Sequence, residues 1–235
     1  MSHAETIVDR LIASYDGVQS LSCEVRKDTE QDKGPKVRML SRVFFQRPDR
    51  LHVETYSPLR RRIVADGKML FSYIEVDPRG YKKPVDELDR EWKISLRKVP
   101  ATAMDHLMRI QGAEEVALPA ESDAPVRAGY QADQKFVVLN LDASNRLIRI
   151  DFYESSGMTV KSGTFRYSDF TEAVPGAWIP RLHEAEITFG GVVTRETTRI
   201  INLQVNGSIA PDLFVPGNYF QKVEFTDDFS KIYGH

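Results

Sequence analysis

The chain has 235 residues, which suits one large domain or two small ones and is enough to bury a substantial core. A formal net charge of −2 and a pI near 6.2 exclude the basic excess of a dedicated nucleic-acid binder. A single cysteine, Cys23, excludes an intramolecular disulfide and a thiolate metal cluster, and no apolar run approaches the ~20 residues of a membrane-spanning helix.

The first element predicted is a helix over about 4–16, where Ile7, Val8, Leu11, Ile12 and Tyr15 fall at helical spacing and Asp16-Gly17 closes it. No export signal is visible. "SLSC" at 20–23 resembles a lipoprotein cleavage box, but the segment before it is amphipathic and charged. Cys23 therefore reads as a half-buried strand residue. From Leu21 the period becomes two, with extended runs at roughly 21–30, 36–46, 49–57, 60–66 and 69–76. Asp66-Gly67 marks a tight hairpin. Arg60-Arg61-Arg62 reads as the charge that strands carry against edge pairing.

Residues 77–100, with Pro78, Pro84 and Pro100, read as an irregular connection with at most one short strand. A second helix is predicted over 102–111, with Thr102 as N-cap, Gly112 as stop, and Met104, Leu107 and Met108 on one soft face. After a polar loop at 113–125, strands resume in "KFVVLNL", "RLIRIDFYE", "VKSGTFRYSDF", "RLHEAEITF" and "TTRIINLQV". The pattern predicts a single mainly β domain over 1–235: about ten antiparallel strands with two or three helices.

Catalytic vocabulary is sparse. None of His3, His52, His106, His183 and His235 pairs with another at metal-ligand spacing, and "HEAEI" lacks a second histidine. No phosphate-cradling glycine loop, dinucleotide fingerprint or serine elbow is present. The expectation is accordingly no catalytic residue, no metal and no cofactor. One pair stands apart: His52 and Glu54 share a strand face and could act as base and orienting acid, although an alternating polar strand face is the plainer explanation.

The strands raise a question of cover. Two helices of about ten residues shield roughly 15 Å each, whereas about ten strands span near 45 Å. The sheet either closes around a packed core or curls into an open barrel with a partly vacant apolar face, and pattern leaves both open.

"RPDRLHVETYSPLRRRIVADGKMLFSY", residues 47–73, resembles the motif of the LolA-like family of bacterial lipoprotein-localisation carriers. Arg47-Pro48 opens a strand, Pro58 follows some ten residues on, and Val64, Asp66, Gly67, Lys68, Leu70 and Tyr73 fit the family's hairpin without a gap. The order of helices and strands agrees, down to "LFVPG" near the end. Two places depart: Val53 stands where an aromatic residue is common, and Phe71 replaces a frequent Trp.

The resemblance implies an antiparallel open half-barrel with a helical lid over about 4–16 and 102–111, acting in the periplasm as a carrier, or chaperone, in the sorting of outer membrane lipoproteins. Its apolar cavity would take acyl chains of lipoproteins or free lipid. Implied partners are an inner-membrane release complex and an outer-membrane acceptor, with the protein a monomer. Arg47 takes the family's lid-latch role, and Leu51 and Val53 face the cavity. Phe71, Tyr73, Met104, Leu107, Met108, Phe152, Phe165 and Phe189 are further candidate lining residues. Each methylene taken from water is worth about 0.8 kcal/mol, so such a carrier needs apolar surface and no catalyst. A lipid-sensing envelope regulatory module and an enzyme using His52 and Glu54 are the alternatives on the same scaffold.

Overall fold

A computed structural model describes residues 5–32, 34–77, 79–132, 134–228 and 230–233. The chain runs α1 (Ile7–Ser14), a 3-10 turn (Tyr15–Gly17), β1 (Ser20–Gln31), β2 (Val37–Gln46), β3 (Arg50–Ser57), β4 (Arg61–Asp66), β5 (Met69–Ile74) and β6 (Arg79–Pro84). A second 3-10 turn (Val85–Glu87), α2 (Arg90–Arg97) and α3 (Met104–Ile110) lead to β7 (Glu115–Ala117), β8 (Val126–Ala132), β9 (Lys135–Leu141), β10 (Leu147–Tyr153), β11 (Lys161–Val174), β12 (Ala177–Phe189) and β13 (Val192–Val205). The C-terminal segment adds two 3-10 turns (Pro211–Phe214 and Pro216–Asn218), β14 (Glu224–Thr226) and α4 (Ser230–Tyr233).

The hydrogen-bonded strand order is β14-β6-β5-β4-β3-β2-β1-β13-β12-β11-β10-β9-β8-β7. The sheet is open, and its strands are antiparallel except where β14 joins β6 in parallel. The described strands number fourteen rather than about ten. β6 and α2 occupy the stretch expected to be irregular, while β7 and β8 lie where a loop was expected or no element was assigned. Short strands and a helix whose apolar residues (Trp92, Ile94, Leu96) alternate like a strand's leave little periodic signal. The α2 cap was readable: Asp89 accepts from the Trp92 N–H at 2.9 Å, with Glu91 in the first turn and Arg97 in the last.

The other helix ends follow local chemistry. Thr6 Oγ1 accepts from the Asp9 N–H at 3.1 Å and Asp9 reaches back to the Thr6 N–H, a capping box that starts α1. Residue 4, in the predicted helix, lies outside the described residues. Ala103 rather than Thr102 is the N-cap of α3 and makes no side-chain cap bond; Thr102, one residue earlier, accepts from the Met104 N–H at 3.3 Å, and Gly112 at φ 83° follows the helix. At the β4–β5 hairpin Gly67 takes φ 94°, and Asp66 Oδ1 accepts from the Lys68 and Met69 N–H groups, each at 2.8 Å.

Two compact units are present. The first comprises 1–17, 27–37 and 101–199; the second comprises 18–26, 38–100 and 200–235. In the first, α1 and α3 lie on one face of β8–β11, with Ile7, Val8, Leu107 and Ile110 packed among Ala128, Tyr130, Val137, Leu139, Ile150 and Tyr167. On the opposite face of these strands Gly129 makes room for Phe136, since a Cβ would lie 2.2 Å from Phe136 Cζ. In the second unit, the C-terminal segment packs an aromatic strap on β3–β6. Gly80 makes room for it: a Cβ there would meet Phe225 Cε1 at 2.6 Å.

Candidate functional site

Paired residues share a sheet face, so the strand register decides which candidate residues meet. In the first unit Ile150 pairs with Phe165, and Phe152 and Phe165 each pair across to β12, through Gly163 to Ile187 and directly to Ala185. Phe152, Phe165, Ile187 and Phe189 therefore share the face that α1 and α3 occupy. Phe152 and Phe165 meet edge to face at 5.6 Å, and His106 of α3 lies over both, at 5.5 and 4.5 Å between ring centroids.

Cover then thins along this face. Phe152, Phe165 and Ile187 are half-buried, and Phe189 at the end of β12 is 86% exposed. Its partner Val192 is also exposed, across the positive-φ turn Gly190-Gly191. An apolar strip thus runs from beneath α3 to an open tip, in a region where most exposed side chains are polar. Met104 and Leu107 are buried on α3 and Met108 is half-buried.

Beneath the helices the face is filled. The cavity lined by Leu11, Tyr15, Leu107, Tyr167, Phe170 and Trp178 holds only about 20 Å³, the space of one water. A second pocket of about 200 Å³ opens beside α1 against Leu141, Asn145 and Gly176. Among the described residues, the space enclosed by these side chains is too small for an acyl chain, so a guest there requires the helices to move.

The attachments of α1 are few and polar at its ends. The Ile7 N–H donates to Glu115 Oε2 at 2.7 Å, and the Tyr130 hydroxyl donates to the same oxygen. Gln111 donates to Asp9 at 3.2 Å. At the other end, the Tyr15 hydroxyl donates to the Trp178 carbonyl at 2.6 Å. Burial first, and then the Glu115 bond, push the Tyr130 phenol well above its ordinary value, so it remains a donor. Glu115 was not among the residues singled out from sequence; a lone glutamate in a polar loop carries no signal of this role.

The register divides the motif residues of the second unit. Leu51 pairs with Ala65 and Ala65 with Leu70, whereas His52 pairs with Val64 and Val64 with Phe71. Leu51 and Val53 thus lie on one face, Phe71 and Tyr73 on the other, and the four do not line one cavity. Leu51 is buried with Ala65 and Leu70; Val53 is half-buried. Phe71 stacks on Phe220 at 5.9 Å and meets Phe225 edge-on at 5.3 Å, and Tyr73 meets Phe220 at 6.3 Å. Their face is occupied by the chain's own C-terminal strap.

His52 is on that strap face too. It is 1% exposed, between the Phe44 and Tyr219 rings at 5.8 and 4.8 Å. Neither ring nitrogen has a hydrogen-bond partner of good geometry among the described residues, although the Leu213 main chain approaches and favours protonation. Burial, then the Arg62 charge, lower its pKa to about 4. Glu54 instead accepts from Tyr56 at 2.6 Å and from Arg62, whose guanidinium lies 4.5 Å over the Tyr219 ring. The pair is therefore a satisfied carboxylate beside a buried neutral imidazole, without the open base–acid geometry catalysis needs.

Arg47 Nε donates to the Val18 carbonyl at 2.9 Å and its N–H to Gln19 at 2.9 Å, with the guanidinium 6.0 Å from the Phe45 ring. Val18 follows directly on the 3-10 turn after α1. Among the described residues no group of histidines, cysteines and carboxylates has metal-holding geometry, and no helix is long and apolar enough to cross a membrane.

No family model matches the sequence, and no curated protein does so either. Solved structures are similar across nearly the whole chain. A LolA superfamily protein from Nitrosomonas europaea superposes with a TM-score of 0.55 at 17% identity, covering 92% of this chain and 98% of its own. A domain from Vibrio parahaemolyticus described as outer membrane lipoprotein-sorting gives 0.60 at 12%, covering 90% and 96%. A DUF1329 family protein from Desulfovibrio piger gives 0.55 at 11%, covering 90% and 97%. The fold is LolA-like.

Proposed function

We propose that this LolA-like chain is a periplasmic carrier or binder of acyl-bearing cargo, lipidated proteins or free lipid, and that it works without a catalytic residue or cofactor. The observation that carries the reading is the apolar strip Phe152–Phe165–Ile187–Phe189, which runs out from under α3 and is left increasingly bare. Acyl carbon laid on such a strip leaves water at about 25 cal/mol per Å², a gain that needs only surface. The filled space under α1 and α3 is then the closed state. Cargo competes with Ile7, Val8 and Leu107 for the same face, which weakens net binding and allows release.

In this reading α1 and α3 form the lid. Arg47, through Val18, and Glu115, through Ile7, are its latches, and Met104, Leu107 and Met108 present adaptable apolar surface when the lid lifts. In the second unit Leu51 and Val53 are candidate acyl-contacting residues on their own sheet face, while Phe71 and Tyr73 hold the strap.

Mass spectrometry of organic extracts from the purified protein, paired with uptake of a fluorescent triacylated lipopeptide, tests this. Acylated species in near-stoichiometric amount, or saturable uptake lost in Phe165→Ser/Phe189→Ser, is the expected result. A protein that carries no acylated species and takes up no lipopeptide overturns it.

A further inference from the structure

A second cavity of different chemistry lies in the second unit. It is an open groove of about 610 Å³ between the β4–β5 hairpin, the Val85–Glu87 turn and α2. Lys68, Lys93 and Arg97 supply three cations to it, and Asp49 and Asp86 two carboxylates, over an apolar patch of Val85 and Leu96. These charges do not cancel one another: no ion pair joins them among the described residues, and Lys93 Nζ donates instead to the Asp86 main-chain carbonyl at 2.8 Å.

Apart from that Lys93–Asp86 contact, the walls are held in place without those charged ends. Asp66 fixes the hairpin through the Lys68 and Met69 N–H groups, the Val85 N–H donates to the Lys68 carbonyl at 2.8 Å, and Asp89 caps α2. Gly67 has no atom within 4 Å of where a Cβ would stand, so the groove is open at that corner. Preorganised walls with unpaired charges of both signs suit a ligand that also carries both signs.

We propose that the groove binds a zwitterion, a phosphodiester next to a primary ammonium. The phosphodiester lies on Lys68, Lys93 and Arg97, where a guanidinium can grip two oxygens and the ammonium groups add point charge. The ammonium lies on Asp49 and Asp86, and Val85 and Leu96 cover the intervening carbons. A simple phosphate is disfavoured by the two carboxylates and a simple amine by the three cations. The site concerns a headgroup, whether free or on a lipid, and stands independently of the acyl strip in the first unit.

Calorimetric titration of the full chain at low ionic strength with glycerophosphoethanolamine, glycerol 3-phosphate and ethanolamine tests it. Glycerophosphoethanolamine is expected to bind at least about tenfold more tightly than either fragment, consistent with two charge-assisted contacts acting together. Lys68→Ala/Arg97→Ala weakens it by a similar factor. Asp49→Asn/Asp86→Asn weakens it too while improving glycerol 3-phosphate, a reversal that general loss of fold cannot produce. Flotation with phosphatidylethanolamine vesicles separates the two sources: retention that the variants lose assigns a bilayer headgroup, and soluble binding without retention assigns a free one. Glycerol 3-phosphate binding as tightly as the zwitterion, zwitterion binding unchanged in both double variants, or no binding of any probe overturns the proposal.

Discussion

Each unit has a sheet face covered by a loop-rich segment, and the two covers are made of opposite chemistry. In the first unit, residues 118–125 lie over the face of β8–β11 that looks away from the helices. Asp151, 1% exposed, accepts there from Arg149, Asn140, Lys161 and Thr164. Arg149 continues the network to Glu121 and Asp123, and Arg127 pairs with Glu121. In the second unit the C-terminal strap lies on Phe71, Tyr73 and His52 through Tyr219, Phe220 and Phe225. A buried carboxylate with four donors tolerates little displacement, because any move leaves a charge unpaired. Aromatic contacts can slide and re-form at small cost. The ionic cover fixes the back of the sheet that carries the apolar strip, while the aromatic cover adapts to the C-terminal segment.

The largest effect is expected where the ionic cover is broken. Asp151→Ala removes the buried acceptor shared by Arg149, Asn140, Lys161 and Thr164, leaves the Asn140 and Thr164 donors short of a partner, and should cost about 3 kcal/mol in urea unfolding. A loss below about 1 kcal/mol would show that the network is solvated and the contrast false. Phe220→Ala removes the centre of the strap and should cost about 3 kcal/mol; lipopeptide uptake by the folded fraction should remain, since the strap belongs to the second unit and the proposed acyl strip to the first.

His52 sharpens the contrast through pH. Its folded pKa of about 4 lies below the ordinary 6.5, so the folded state holds it neutral. Above pH 6.5 both states are neutral and nothing is lost. As pH falls from about 6.5 towards 4, only the unfolded state gains the proton, and stability declines by up to about 3 kcal/mol. Between pH 6.5 and 4 the stability of His52→Leu relative to wild type should rise by up to about 3 kcal/mol; a difference that stays constant with pH would refute the buried neutral imidazole. Asp151 acts below that window. Burial alone would raise its pKa, but the Lys161 and Thr164 bonds and the neighbouring charges hold it below the usual range, so its contribution is lost only as pH falls through the carboxylate region.

Smaller effects belong to the lid. Glu115→Ala leaves the Ile7 N–H and the Tyr130 hydroxyl unpaired and should cost about 1–2 kcal/mol, while lipopeptide uptake becomes faster in stopped-flow fluorescence. Slower uptake would remove Glu115 from the latch. Phe189→Ser should change stability by less than about 0.5 kcal/mol, because the ring is already in water, yet weaken lipopeptide binding several-fold. The smallest change in fold thus comes with a readable loss of proposed function.

Much of this arrangement was legible along the chain. The Ile7, Val8, Leu11 stripe announces α1, Asp66-Gly67 announces its hairpin, and the 47–73 motif points to the LolA-like fold that the solved structures share. The strands β6, β7, β8 and β14 were less legible, because three to seven residues that pair at a sheet margin need no strong alternation of their own. Among the candidate cargo residues, alternation along each strand places Phe152 beside Ile150 correctly. It cannot relate one strand to the next, which is why Phe71 and Leu51 read as neighbours and stand on opposite faces.

The sequence alone determined which residues are apolar, where helices and hairpins start and stop, and that catalytic groups are scarce. These are local matters, governed by side-chain chemistry and the two backbone periods. Only the tertiary structure decided that the strap fills one face of β3–β6, that Glu115 rather than a nearer residue holds α1, and that Phe189 is left bare. Each of those depends on contacts between residues far apart in the chain, and inter-strand register is set by the packing of the whole sheet rather than by any one strand.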